Sequence, residues 1–210
     1  MPSAMGDGQT SPRSVSGRAE SLERGAREWI APYSQAEHLI RTRDWLLELD
    51  PEASLALVLA ALTHDIERFF PGGPKQDKAG KPWDDPEYNR AHCERSAAIV
   101  GEWLRSQGAD PELAQEVEEL IRAHEFGGAP EADLLQAADS ISFLETLSDV
   151  AVEWLRTGVC GPEKAKEKHE WMLERIRVER ARELALPLYE QAIAAIDREA
   201  ASQAAGASLA

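Results

Sequence analysis

The triplet Asp-Pro-Glu occurs three times, at Asp50-Pro51-Glu52, Asp85-Pro86-Glu87 and Asp110-Pro111-Glu112, and each copy reads as the start of an α-helix. The Asp side chain caps a backbone N–H, proline at the first helical position has no N–H to leave unpaired, and the acid faces the positive end of the helix dipole. Ala129-Pro130-Glu131 and Gly161-Pro162-Glu163 are weaker forms of the same signal, and Ser34 with Glu37 can form a capping box just before His38. Gly108, Gly127 and Gly158 read as stops. Together these signals predict helices near 19–31, 34–48, 52–70, 87–107, 111–125, 130–157, 162–182 and 183–201. Strand alternation appears nowhere, so the expected fold is all-α. The run Ala53 to Leu62 is apolar on nearly every face and is therefore the central helix of a single-domain bundle.

The chain has 210 residues, enough for one substantial core. Residues 1–18 are rich in Ser, Gly and Pro, and 202–210 are small and polar, so both read as flexible tails around a helical domain at 19–201. The stretch from Pro71 to Asp85 is one long irregular loop carrying Lys75, Lys78 and Lys81; loops of that length beside a site are often lids, and the sequence leaves that role open. A net charge of −15 argues against binding nucleic-acid polymers, which needs clustered Lys and Arg. Two cysteines, Cys93 and Cys160, fit no CxxC or zinc-ligand spacing, so no disulfide framework is expected. No segment has the roughly 20 apolar residues that cross a bilayer, and the first residues lack the apolar core of a signal peptide. A cytoplasmic protein is expected, with no membrane partner and an oligomeric state left open.

Four of the five histidines fall where a helix shows its apolar face. His124 continues the stripe Leu113, Val117, Leu120 and Ile121; His92 shares one with Ile99 and Trp103; His38 shares one with Trp45 and Leu46. His64 and Asp65 end the apolar helix, and Asp139 lies between Leu135 and Phe143 at i±4. A buried carboxylate is costly unless it is paired or bound to a metal. Six inward polar residues on five helices, imidazoles mixed with carboxylates, therefore point to a divalent ion, with iron or manganese first and zinc, magnesium, nickel or cobalt also admissible.

The order His38, His64-Asp65, His92, His124, Asp139 resembles the HD-domain superfamily of metal-dependent phosphohydrolases, over about residues 30 to 150. Its local context agrees: LALVLAALTHDIERF is similar to the helix that carries the HD doublet, and LLQAADSISFLE to the helix that carries the last Asp. The resemblance implies that His38, His64, Asp65 and Asp139 hold one metal. His92 and His124 are similar to the pair that holds a second ion in the binuclear branch, with Asp65 bridging. The alternative for those two is direct contact with substrate phosphate over a single metal. The activity that the resemblance implies is hydrolysis of a phosphate ester, of a nucleotide or a small metabolite, by a metal-activated water. The GYP triplet associated with cyclic-di-GMP phosphodiesterases is missing from the sequence.

Other roles are more open. Arg68, one turn after His64, can clamp a phosphate or simply pair with Glu67 or another acid. Lys164, Lys168, Met172 and Arg175 share a helix face, so Lys168 and Arg175 are candidate substrate contacts, although neighbouring glutamates can equally neutralise such a run. Glu125 is a candidate base or a support for an imidazole. Trp83 is a candidate to stack on a base or to cover the cavity, and the other tryptophans fit a core. His169 falls outside the ordered set and reads as a surface residue. Two other functions fit the same ligands: a mixed-valence di-iron oxygenase, with Tyr33 and Glu37 as substrate contacts, and a non-catalytic metal-bound module that senses a nucleotide or binds a partner.

Overall fold

Helix α3 (Leu55–Thr63) is buried along almost its whole length, from Ala56 to Thr63, and four other helices pack around it. These are α1 (Pro12–Ile30), α2 (Ala36–Leu49), α5 (Pro111–Ala123) and α6 (Pro130–Thr146). Helix α4 (Pro86–Ser106) pairs with α5, while α7 (Ser148–Thr157), α8 (Pro162–Glu174) and α9 (Glu179–Ala207) close the other side against α6. The computed structural model describes residues 12–207, which form one all-helical domain with no strand among them. Residues 1–11 and 208–210 of the expected tails lie outside the described residues, whereas 12–18 and 202–207 are helical.

The main core joins α1 through α6, with Leu39, Leu46, Leu59, Leu62, Ile66, Leu104 and Ile121 fully buried. Truncating one such leucine to alanine costs about 2–5 kcal/mol through lost transfer energy and the cavity left behind. Trp29 and Trp103 stack in parallel at 4.7 Å and pin α1 to α4. A second cluster joins α6, α8 and α9 through Ile141, Met172 and Ala185. Cys93 and Cys160 are both buried free thiols.

Two Asp-Pro-Glu signals act as the sequence predicts: Asp85 and Asp110 accept from the N–H groups of Glu87 and Glu112, and the prolines open α4 and α5. The first does not. Asp50 closes α2, and α3 is capped instead by Ser54, whose hydroxyl accepts from the N–H of Leu57 at 3.2 Å. Ser34 is not a cap either; α2 starts after Gln35, which makes no side-chain cap, because buried Tyr33 anchors the turn by donating to Gln35 Oε1 at 2.7 Å.

The single helix expected over 52–70 is α3 plus a 3-10 turn at Ile66–Phe69. His64 and Asp65 occupy the joint, with Asp65 in the sparsely populated bridge region at φ −103°, ψ 3°. The helix expected over 130–157 is broken at Leu147. There Thr146 and Ser148 donate their hydroxyls back to the carbonyls of Ser142 and Leu144, contacts that bend helices. Gly108, Gly127 and Gly158 all have positive φ, as helix stops require.

Candidate metal centre

All six residues of the ordered set meet at one place, where α2, the α3 joint, α4, the end of α5 and α6 face one another. His64, His92 and His124 are 0% exposed, His38 1%, Asp65 3% and Asp139 5%. Asp139 Oδ1 lies 3.1 Å from His38 Nε2 and 3.4 Å from His64 Nε2. Asp65 Oδ1 lies 2.8 Å from His92 Nε2, 3.8 Å from His64 Nε2 and 4.0 Å from His124 Nε2. Three overlapping sets, His38-His64-Asp65, His64-His124-Asp139 and Asp65-His92-His124, bring their donor atoms within 4.8 Å of one another and can hold a metal ion. Donors bound to one ion at about 2.0–2.2 Å lie about 3 Å apart, which matches the shorter of these spacings.

The proton positions are set by the far side of each ring. His64 Nδ1 donates to the carbonyl of Ala61 at 3.1 Å and His124 Nδ1 to that of Ile121 at 2.6 Å. His92 Nδ1 donates to the Glu67 carboxylate at 3.0 Å. Ser142 gives its hydroxyl proton to the carbonyl of His38 at 2.7 Å, so its oxygen accepts from His38 Nδ1 at 2.9 Å. Every Nδ1 is thus the N–H side in the neutral ring, and every Nε2 turns a lone pair toward the carboxylates. Lone pairs facing carboxylate oxygens repel unless they share a cation. Buried Nε2 atoms of His64 and His124 have no hydrogen-bond partner, an arrangement that metal ligation satisfies.

Charging the rings instead would crowd imidazolium ions whose neighbouring centroids are 4.9 to 5.5 Å apart. The local field nonetheless favours positive charge. Burial works against the charged form of His64, but Asp65 and Asp139 outweigh it and hold its pKa above that of free imidazole. Burial likewise opposes ionisation of Asp65 and Asp139, yet Arg68 and Arg175 hold both well below the usual carboxylate range.

The surroundings sort the remaining candidates. Arg68 ion-pairs with Asp65 Oδ2, not with Glu67, and its other Nη lies 3.4 Å from His92 Nε2. Arg175 lines the cavity but is committed three ways, to Asp139 Oδ2, Glu125 Oε2 and Ser140 Oγ, so it braces the cluster. Glu125 Oε1 stands 3.8 Å from His124 Nε2. Burial raises its pKa, but Arg175 and then His124 override this, so it stays ionised rather than poised as a base. Against expectation, His169 is buried: its Nδ1 meets the Ala165 carbonyl at 2.9 Å and its ring packs on Phe143. Tyr33 is buried and reaches the cavity only through Gln35, while Glu37 is exposed and lines no part of it.

A cavity of about 380 Å³ opens onto His38, Asp65 and Asp139. The Pro71–Asp85 loop forms one wall, through Gly72 to Gln76, Lys78 and Trp83. Trp83 lines the cavity and offers no face to a base: it is 3% exposed, stacks on Trp154 at 5.4 Å and donates its N–H to the carbonyl of Lys164 at 2.9 Å.

Two supporting residues carry no sequence signal that singles them out. Glu67 is buried between His92 and Arg95, and Arg95 also holds the carbonyl of Pro71 at 2.7 Å. Ser142 follows Asp139 by three residues on α6, a spacing that places both on one face and marks it in retrospect.

The family model described as a domain of unknown function, DUF4202, matches residues 21–157, a span that carries all six clustered residues and ends before Lys168 and Arg175. No curated protein and no solved structure matches the chain. With the match covering well over half of its length, the chain belongs to the DUF4202 family.

Proposed function

We propose that the protein is a metal-dependent phosphohydrolase of the HD type, acting on a phosphate ester in the cavity above the cluster. The observation that carries this reading is the convergence of four imidazole Nε2 lone pairs, each fixed by an acceptor behind its Nδ1, on two buried carboxylate oxygens. His38, His64, Asp65 and Asp139 are assigned to one ion, and Asp65, His92 and His124 to a second. Iron or manganese suits this mixed donor set. Divalent ions held there would supply Lewis acidity, lowering the pKa of a water and neutralising charge on a phosphoryl oxygen.

The protein's own groups do the rest. Arg68 sits at the rim with a third of its side chain exposed, and its fork can move from Asp65 toward a phosphoryl oxygen. Arg175 and Ser142 act through other residues, keeping Asp139 ionised and the His38 ring in the ligating tautomer.

The test is release of inorganic phosphate from a panel of phosphate esters with added Mn²⁺ or Fe²⁺, run with and without oxygen. Anaerobic turnover supports the proposal. Turnover only with iron and oxygen, without phosphate release from an ester, would assign the same ligands to an oxygenase. Tight nucleotide binding with no turnover would leave a sensing module.

A further inference from the structure

We infer that the substrate is a small phosphate ester carrying a second anionic group, phosphate or carboxylate, and no nucleobase, with Lys78 and Lys168 receiving that second group. This rests on the phosphohydrolase reading for the reacting phosphate, but the second site stands on its own residues.

The cations of the cavity fall into two classes. Arg68 and Arg175 are each neutralised by a carboxylate of the cluster. Lys78 and Lys168 line the same cavity with no carboxylate within 4.0 Å among the described residues, in a chain with 38 acidic and 23 basic side chains. Their neighbours are aromatic: Lys78 Nζ sits 4.4 Å from the Trp154 ring centre, and Lys168 Nζ sits 4.1 Å from that of Trp171 and 4.9 Å from that of Phe143. Ring faces attract a cation but give its N–H donors no acceptor oxygen. Burial lowers the pKa of both amines, the mark of charge short of solvation. An anion in the cavity beside these amines supplies the acceptor oxygens that the rings do not.

The same rings argue against a base. A nucleobase is held by stacking on an open aromatic face. Trp83 and Trp154 stack on each other, Lys164 and Lys168 stand over the first and Lys78 over the second, and Tyr88 lies parallel to the His92 ring. The tryptophan faces of the wall are thus already occupied by ammonium groups and by each other, and their chemistry is that of an anion receptor.

Calorimetric titration of the full-length protein with four probes tests this: 3-phosphoglycerate, propane-1,3-diol bisphosphate, glycerol 3-phosphate and AMP. The first two are expected to bind at least about tenfold more tightly than the last two, the yield of one charge-assisted contact. Lys78→Gln and Lys168→Gln should each erase that advantage, and Lys168→Arg should keep most of it. Whichever of the first two binds better identifies the second group as carboxylate or phosphate. AMP binding as tightly as either, or an advantage that survives both glutamine variants, overturns the inference. Selective binding without phosphate release at any metal would count against the hydrolase reading alone, and equal hydrolysis of all four against the second anion site alone.

Discussion

Glu67 stands directly behind His92: its Oε1 accepts from His92 Nδ1 at 3.0 Å, while His92 Nε2 faces Asp65 at 2.8 Å. A carboxylate behind a ligating imidazole fixes its orientation and raises its basicity, and losing such a partner costs about 10–100-fold in metal affinity. Glu67→Gln is therefore expected to weaken metal binding by about that factor, measured by competition with a chelator. Unchanged affinity would show that the charge of Glu67 does not support metal binding through His92.

Ser142 has the same role for His38. Ser142→Ala leaves the buried Nδ1 proton of His38 without its acceptor, while the His38 carbonyl keeps the Thr42 hydroxyl at 2.9 Å, at a cost of about 1–3 kcal/mol in stability. A chemical-denaturation curve reads this loss, and metal affinity should fall alongside it as the ring is released to the other tautomer.

Gly73 gives the loop its close approach to the cluster. A Cβ there would lie 2.4 Å from Glu67 Oε2 and 2.5 Å from Arg95 Nη1, two atoms tied to each other, in side chains whose other terminal atoms hold His92 and the carbonyl of Pro71. Gly73→Ala should part the Glu67–Arg95 pair or lift the loop, lowering metal affinity and turnover together with little change in thermal stability. Activity and metal content equal to those of the parent protein would show that the loop and the cluster are not coupled.

Lys168 sets a pH dependence. Burial pushes its amine down to about 7, against the pull of Glu125 and with the push of Arg175 and Arg68; Asp139 also faces it and favours charge. Below that value the amine is charged and attracts an anion; above it the charge is lost. Phosphate esters have completed their second ionisation by then, with a pKa of about 6. Affinity for a substrate with two anionic groups should therefore fall as pH rises through about 7, and the fall should disappear in Lys168→Gln. A flat profile in the parent protein would contradict this assignment.

The fold class and the convergence of the six clustered residues were legible because both are written in strong local signals. Proline at the first helical turn marked the starts of α4, α5 and α6, glycine marked the stops of α4 and α5, and periodicity placed His92, His124 and Asp139 on inward faces. Signals that depend on tertiary partners were not legible. Asp50 lost its capping role to Ser54, since the chain turns between α2 and α3 before the helix begins. The break at Leu147 arises from hydroxyls bonding back to carbonyls, which helix propensity does not register. His169 read as a surface residue because its polar character gave no hint that Phe143 covers it. Glu67 read as a surface partner for Arg68, because its real partners, His92 and Arg95, come from another helix.

Whether the cluster holds metal is decided by elemental analysis of the purified protein beside Asp65→Ala, with circular dichroism to verify that both are folded. Divalent metal, iron or manganese first, is expected at a stoichiometry of at least one ion per chain in the parent protein and almost none in the variant. A folded parent protein that carries no metal and takes up none on dialysis against Fe²⁺, Mn²⁺ or Zn²⁺ would contradict the assignment of these six residues as ligands.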